Sequence, residues 1–156
     1  MKTATFNNLI KLSYPDDFVE LSLEEIEKYF SGDLMRLSFQ NKDKHILLSL
    51  SKSKDSFINR ILNVASIVAT TLSTLENNLK EYQHLGEYES EVFDRPSITE
   101  CFSYMASDEN VKQYAEMTVF KEKKAFYIIY CISRYEDKEE SKKLFKEFRE
   151  SFLDID

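Results

Sequence analysis

Apolar residues in this chain recur at two spacings, every second position and every third or fourth, and the changes between them mark out the elements. The stretch Phe126-Tyr-Ile-Ile-Tyr-Cys-Ile132 is apolar or aromatic throughout, with Lys123 and Lys124 before it and Ser133 and Arg134 after it. It is far too short for a bilayer, which needs roughly 20 such residues. Its β-branched and aromatic content favours a strand. A strand places Phe126, Ile128, Tyr130 and Ile132 on one face and Tyr127, Ile129 and Cys131 on the other. Both faces are apolar and both must be covered, which predicts a central strand between two layers.

The same logic sets out the rest. Phe6 to Leu12 alternates in part and reads as a strand, ended by Tyr14-Pro15-Asp16-Asp17. Ser22 and Glu25 make a capping box, Leu21 is placed to pack on Ile26, and Gly32 is placed to close a helix running from Leu23 to Ser31. Leu34 to Phe39 and His45 to Leu50 flank Asn41–Lys44 as a β-hairpin. From Ser53 to Tyr82, the residues Ile58, Ile61, Ala65, Val68, Leu72, Leu75, Leu79 and Tyr82 form one seam in three- and four-residue steps. That predicts a single long helix capped by Asp55, with Ile67 projecting from its polar side.

Beyond His84, Gly86 marks a turn, and Tyr88 to Phe93 alternates with Glu87, Glu89 and Glu91 on one side. Arg95-Pro96 interrupts. Strands over Ile98 to Met105, Gln113 to Phe120 and Ala125 to Ser133 then follow, joined by polar turns at Ser107–Asn110 and Lys121–Lys124. An antiparallel meander is the economical topology. Asp137 to Leu153 is a closing helix capped by Asp137, with Leu144, Phe145, Phe148 and Phe152 as its buried stripe and an opposite face of Lys and Glu spaced for intrahelical ion pairs.

Composition narrows the function classes. The chain has 156 residues, 42% hydrophobic and 31% charged, which suits one globular domain over residues 1–156. Its net charge of −7 argues against nucleic acid and against an anionic membrane surface. The N-terminus, Met1 to Ile10, shows neither signal peptide nor membrane span, so a cytoplasmic location is expected. Cys101 and Cys131 both fall in predicted strands, as reduced, buried thiols.

Candidate chemistry is sparse. His45 and His84 are the only histidines and lie in different elements, His45 at a strand edge and His84 ending a helix. No metal-ligand spacing, nucleophile motif or phosphate-cradling glycine loop occurs, so no cofactor and no metal are expected. The row Glu87, Glu89, Glu91 reads as an acidic guard on an exposed or edge strand. Glu100 and Glu116 are more informative. Each shares a strand face with apolar neighbours, Ile98 and Phe102 for one and Tyr114 and Phe120 for the other, so each lies at the open end of the sheet or needs a partner. With 9 Tyr and 12 Phe, a subset of aromatics can line a groove.

The element order resembles the PsbP-like superfamily. So do two local patterns, Tyr14-Pro15-Asp16-Asp17-Phe18 after an N-terminal strand and the ending in which Phe126–Tyr130 is followed by Phe145-Lys-Glu-Phe-Arg-Glu-Ser-Phe152. That group includes the photosystem II extrinsic subunit, a Ran-binding import factor, DcrB-like bacterial lipoproteins and adaptor-chaperones of type VI secretion effectors. The resemblance implies an α+β sandwich, a central antiparallel sheet with helices on both faces, and a protein-binding rather than enzymatic role. The leading expectation is therefore an adaptor or chaperone with an unidentified protein partner. Its surface would be formed by Tyr88, Tyr104, Tyr114, Glu100 and Glu116. One alternative is a small-molecule-binding protein or hydrolase with an acidic site around Glu89, Glu100 and Glu116. Another is a homodimer formed through the long helix or an edge strand.

Overall fold

The computed structural model describes residues 1–30, 34–106 and 110–155. Strands β1 (Lys2–Phe6) and β2 (Ile10–Tyr14) form an antiparallel hairpin. The expected strand from Phe6 to Leu12 therefore spans a turn. Asn7 and Asn8 sit at φ 55° and 51°, the left-handed region that a tight hairpin needs and that asparagine tolerates. After the two-residue strand β3 (Val19–Glu20) comes helix α1 (Leu23–Tyr29), with its capping box formed as expected. Gly32, the expected helix stop, lies outside the described residues. Strands β4 (Met35–Asn41) and β5 (Ile46–Lys52) make the expected hairpin.

The single long helix is not formed. Helix α2 (Phe57–Ile61) ends at Leu62, and helix α3 (Val64–Asn78) begins afresh at Asn63, whose side chain accepts from the Ser66 N–H at 2.8 Å. Lys121 closes the break from the sheet: its Nζ donates to the carbonyls of Arg60 (2.8 Å) and Leu62 (2.6 Å), a cation at a helix C-terminus. Ser56, not Asp55, caps α2, and Asp55 pairs with Lys52. Ile58 and Ile61 are exposed, whereas Ile67 packs half-buried against the sheet with Leu72, Leu75 and Leu79. In the β-branched middle, Thr70 and Thr71 return their hydroxyls to the carbonyls of Ser66 and Ile67, and the packing of Ile67, Val68, Leu72 and Leu75 on the sheet keeps the segment helical.

Four strands complete the meander: β6 (Lys80–Val92), β7 (Arg95–Met105), β8 (Lys112–Glu122) and β9 (Ala125–Arg134). Tyr82 and His84 are thus strand residues. Gly86 lies inside β6, opposite Cys101, rather than at a turn. Arg95-Pro96 does not interrupt either, because the turn falls at Phe93-Asp94 and Pro96 pairs with Glu91 near the start of β7. Helix α4 (Lys138–Glu150) follows a short 3-10 turn. Asp137 stands at its N-cap without a side-chain capping bond, and Leu153 passes into strand β10 (Leu153–Asp154).

All the pairings are antiparallel. The main sheet runs β3-β4-β5-β9-β8-β7-β6, and a small one runs β1-β2-β10. The apolar run at 126–132 is therefore the middle of seven strands. Its faces divide as expected. Phe126, Ile128, Tyr130 and Ile132 meet α3, while Tyr127, Ile129 and Cys131 share a core with Phe145 and Phe148 of α4 and with Phe6, Ile10 and Leu12 of the small sheet. The result is an α+β sandwich with helices on both faces. Among the described residues, no helix is long and apolar enough to cross a membrane.

Candidate functional site

Glu116 occupies β8 on the face that α4 covers and is almost fully buried. A carboxylate there needs partners, and α4 supplies one. Arg149 donates from Nη1 to Glu116 Oε1 at 2.5 Å, and the Tyr114 hydroxyl donates to the other oxygen at 2.6 Å. Arg149 also donates from Nη2 to the Tyr88 hydroxyl at 2.5 Å. The Tyr114 ring lies parallel to that of Phe145, centroids 6.3 Å apart. Cys101 faces Glu116 directly across β7 and β8. Burial pushes the Cys101 thiol and the Tyr88 and Tyr114 hydroxyls up from their ordinary values, so all three stay protonated at neutral pH.

These groups form the floor of a cleft of about 560 Å³ between α4 and the β6–β8 corner of the sheet. Its wall on the helix side is Lys138, Lys142 and Lys146, one turn apart on one stripe. Lys142 Nζ stands 5.8 Å from the Tyr114 ring centroid. A protein of net charge −7 thus presents a locally cationic, aromatic-floored concavity. A larger hollow of about 640 Å³ near Tyr127 has the same charge balance, Lys52, Arg60, Lys123 and Lys124 against Asp55 and Glu122, as the cleft has with Lys138, Lys142, Lys146 and Arg149 against Glu87 and Glu116; the cleft differs in carrying its three lysines on one helix stripe above an aromatic floor.

Of the five residues singled out in the sequence, Tyr88, Tyr114 and Glu116 converge here. Tyr88 is the accessible one, at 41% exposure, while Tyr114 and Glu116 are floor rather than contact surface. The sheet separates the other two from them. Tyr104 packs near Phe102 on the α3 face, with its hydroxyl pushed up to about 12 by burial. Glu100 lies on that same α3 face, directly opposite Glu87, with Oε2 2.5 Å from His84 Nε2. Burial first, and then the facing Glu87 carboxyl, push Glu100 up to about 7 against the opposing pull of His84. The combined acidic site of Glu89, Glu100 and Glu116 is not assembled, because Glu116 is on the opposite face. His84 belongs to β6, not to a helix end.

Arg149 went unread in the sequence, whereas the wall lysines belong to the expected Lys/Glu face and pair as expected, Lys142 with Glu139 at 3.4 Å and Lys146 with Glu150 at 3.8 Å. Arg149 falls within the stripe of Phe145, Phe148 and Phe152. A cation in that position, set against Glu116 on an apolar strand face, is the signal that pairs them.

No protein-family model matches the chain, and no curated protein matches it. Solved structures do. PsbP of the cyanobacterium Synechocystis superposes with a TM-score of 0.71 at 12% identity, covering 97% of this chain and 90% of that one. A Pseudomonas aeruginosa protein of unknown function gives 0.59 at 13% identity over 97% and 94% of the two chains. LpqN of Mycobacterium tuberculosis, involved in cell envelope biogenesis, gives 0.57 at 14% identity over 93% and 82%. At these identities the likeness is one of fold, and that fold is PsbP-like.

Proposed function

We propose that this PsbP-like chain is a non-enzymatic, cytoplasmic protein-binding module, an adaptor or chaperone whose partner places an acidic segment in the cleft beside α4. The observation that carries the reading is charge. Lys138, Lys142 and Lys146 line one wall of a concave surface on an otherwise acidic molecule. Opposite charge steers such an encounter and fixes its orientation. The floor favours binding over turnover, since Glu116, Arg149, Tyr88 and Tyr114 are bonded to one another and Cys101 is held as a thiol. The fold likeness to PsbP and LpqN supports this reading only at the level of architecture. Cytoplasmic placement is supported by free Cys101 and Cys131, on strands that β8 separates.

The test is affinity capture from the native cytosol by the tagged chain and by its Lys142→Glu/Lys146→Glu variant, followed by direct titration of the captured partner's acidic segment. One protein held near stoichiometrically by the wild type, released by raised salt and lost in the variant, is the expected result. Equal capture by both chains removes the cleft as the binding surface.

A further inference from the structure

We infer that His84, Glu87 and Glu100 form a binding site for a divalent transition-metal ion of the zinc type, on the α3 face of the β6–β7 edge, with Glu87 also lining the cationic cleft.

The three side chains bring one imidazole nitrogen and two carboxylate oxygens within 4.8 Å of one another. Strand pairing makes this so: Glu87 and Glu100 are direct cross-strand partners, and the register shift between His84 and Gly86 sets His84 beside them. Like charges placed directly opposite each other on neighbouring strands repel. A cation between them turns that repulsion into coordination. Glu100 adds a second, independent indication. Its side chain is wholly buried, and among the described residues its Oε1 meets no N–H or hydroxyl donor, so that apart from His84 the carboxyl faces only the like-charged Glu87. A buried carboxylate oxygen left without a donor is a costly arrangement, and a metal ion supplies the missing electrophile.

The donor set selects the ion. Imidazole with carboxylate oxygens suits zinc and its first-row neighbours, whereas magnesium and calcium favour oxygen alone. Three protein ligands with a fourth position toward solvent is also a familiar zinc arrangement. Ligand atoms around a tetrahedral zinc with bonds of about 2.1 Å stand ~3.4 Å apart. The His84–Glu100 contact at 2.5 Å must therefore open and the wider separations must close. His84 and Glu87 are the exposed members and provide that movement, while Glu100 is the anchored one.

The test uses the full chain after chelator treatment, with Zn²⁺ alone as the probe, followed by calorimetric titration, thermal melting and the visible spectrum of the Co²⁺ form. Expected are one ion per chain, a raised Tm and cobalt d–d bands. His84→Ala and Glu87→Gln change exposed groups and leave the fold intact, and each weakens uptake by about tenfold or more. Glu100→Gln, which keeps the shape of the buried side chain, does the same. The inference is overturned by no stoichiometric uptake in the wild type, by uptake unchanged in these variants, or by uptake that depends on His45 instead. The Lys142→Glu/Lys146→Glu variant retains the metal, so failure here and failure of the cleft reading are separate results.

Discussion

Arg149, near the end of the last helix, closes on Glu116 in the interior of the sheet at 2.5 Å, with side chains only 7% and 3% exposed. One ion pair thus pins α4 to β8. Removing one partner leaves the other charged and buried, so Arg149→Ala is expected to cost about 3–5 kcal/mol. Replacing both with apolar residues of similar volume, Glu116→Leu with Arg149→Met, is expected to recover most of that loss. Urea denaturation of the two single variants and the double variant checks the non-additivity.

The capping box of α1 is local. No residue of that helix is buried, so its stability rests on the bonds between Ser22 and Glu25, at 3.0 and 3.3 Å. Ser22→Ala is expected to cost about 1 kcal/mol of helix stability. Faster amide exchange over residues 25–29 is the readout, with the Tm of the whole chain nearly unchanged.

Phe93 and Asp94 turn the β6–β7 hairpin with φ of 56° and 57°, and neither is glycine. A left-handed conformation costs an L-residue roughly 1–2 kcal/mol. Asp94→Gly removes a smaller share of that cost at an exposed position, since Asp tolerates the left-handed region better than most residues, and after glycine's greater unfolded-state entropy a gain of about 0.5 kcal/mol or less is expected. Phe93 is different, since its ring is buried near Phe120, and Phe93→Gly is expected to destabilise. Chemical denaturation of both variants gives opposite signs.

Tyr104 and Tyr130 pack on the α3 face, and burial raises both hydroxyls from 10 to about 12. Each is neutral in the folded state at a pH where the unfolded chain has begun to ionise. Their contribution is complete below pH 10 and is lost as pH rises from 10 through 12. Ultraviolet titration is expected to show a late tyrosine fraction that ionises together with the loss of near-ultraviolet circular dichroism. Tyr104→Phe/Tyr130→Phe shifts alkaline unfolding upward.

What was legible in the sequence follows from which forces are local. The run at 126–132 is apolar on both faces, so its central place is written in its own residues. The Ser22–Glu25 cap likewise needs no distant partner. The break at Leu62–Asn63 was hidden, because the ammonium that stabilises it belongs to Lys121, far along the chain. The seam also misled at its end. Leu79 and Tyr82 continue the helical spacing, yet Tyr82 reaches the same core from a strand. That misreading put His84 at a helix terminus and concealed its closeness to Glu87 and Glu100. The need of Glu100 and Glu116 for partners was readable from their apolar neighbours. Which partners they found depended on strand register, which no local spacing carries.

Strand β9 has a temporal meaning as well as a spatial one. It is the middle strand of the main sheet, yet it is the last of that sheet to be synthesised. Until it leaves the ribosome, β3-β4-β5 and β6-β7-β8 are half-sheets with no strand to join them, each with an open apolar edge. Between the end of β5 and the end of β9, translation at about 5–20 residues per second takes on the order of ten seconds. Through that interval the nascent chain carries the unsatisfied β5 edge, joined near its end by that of β8, and open edges are where misassembly and holding chaperones act. Completion then comes in two steps: β9 closes both seams and completes the α3-side core, and α4, made last, covers the other face.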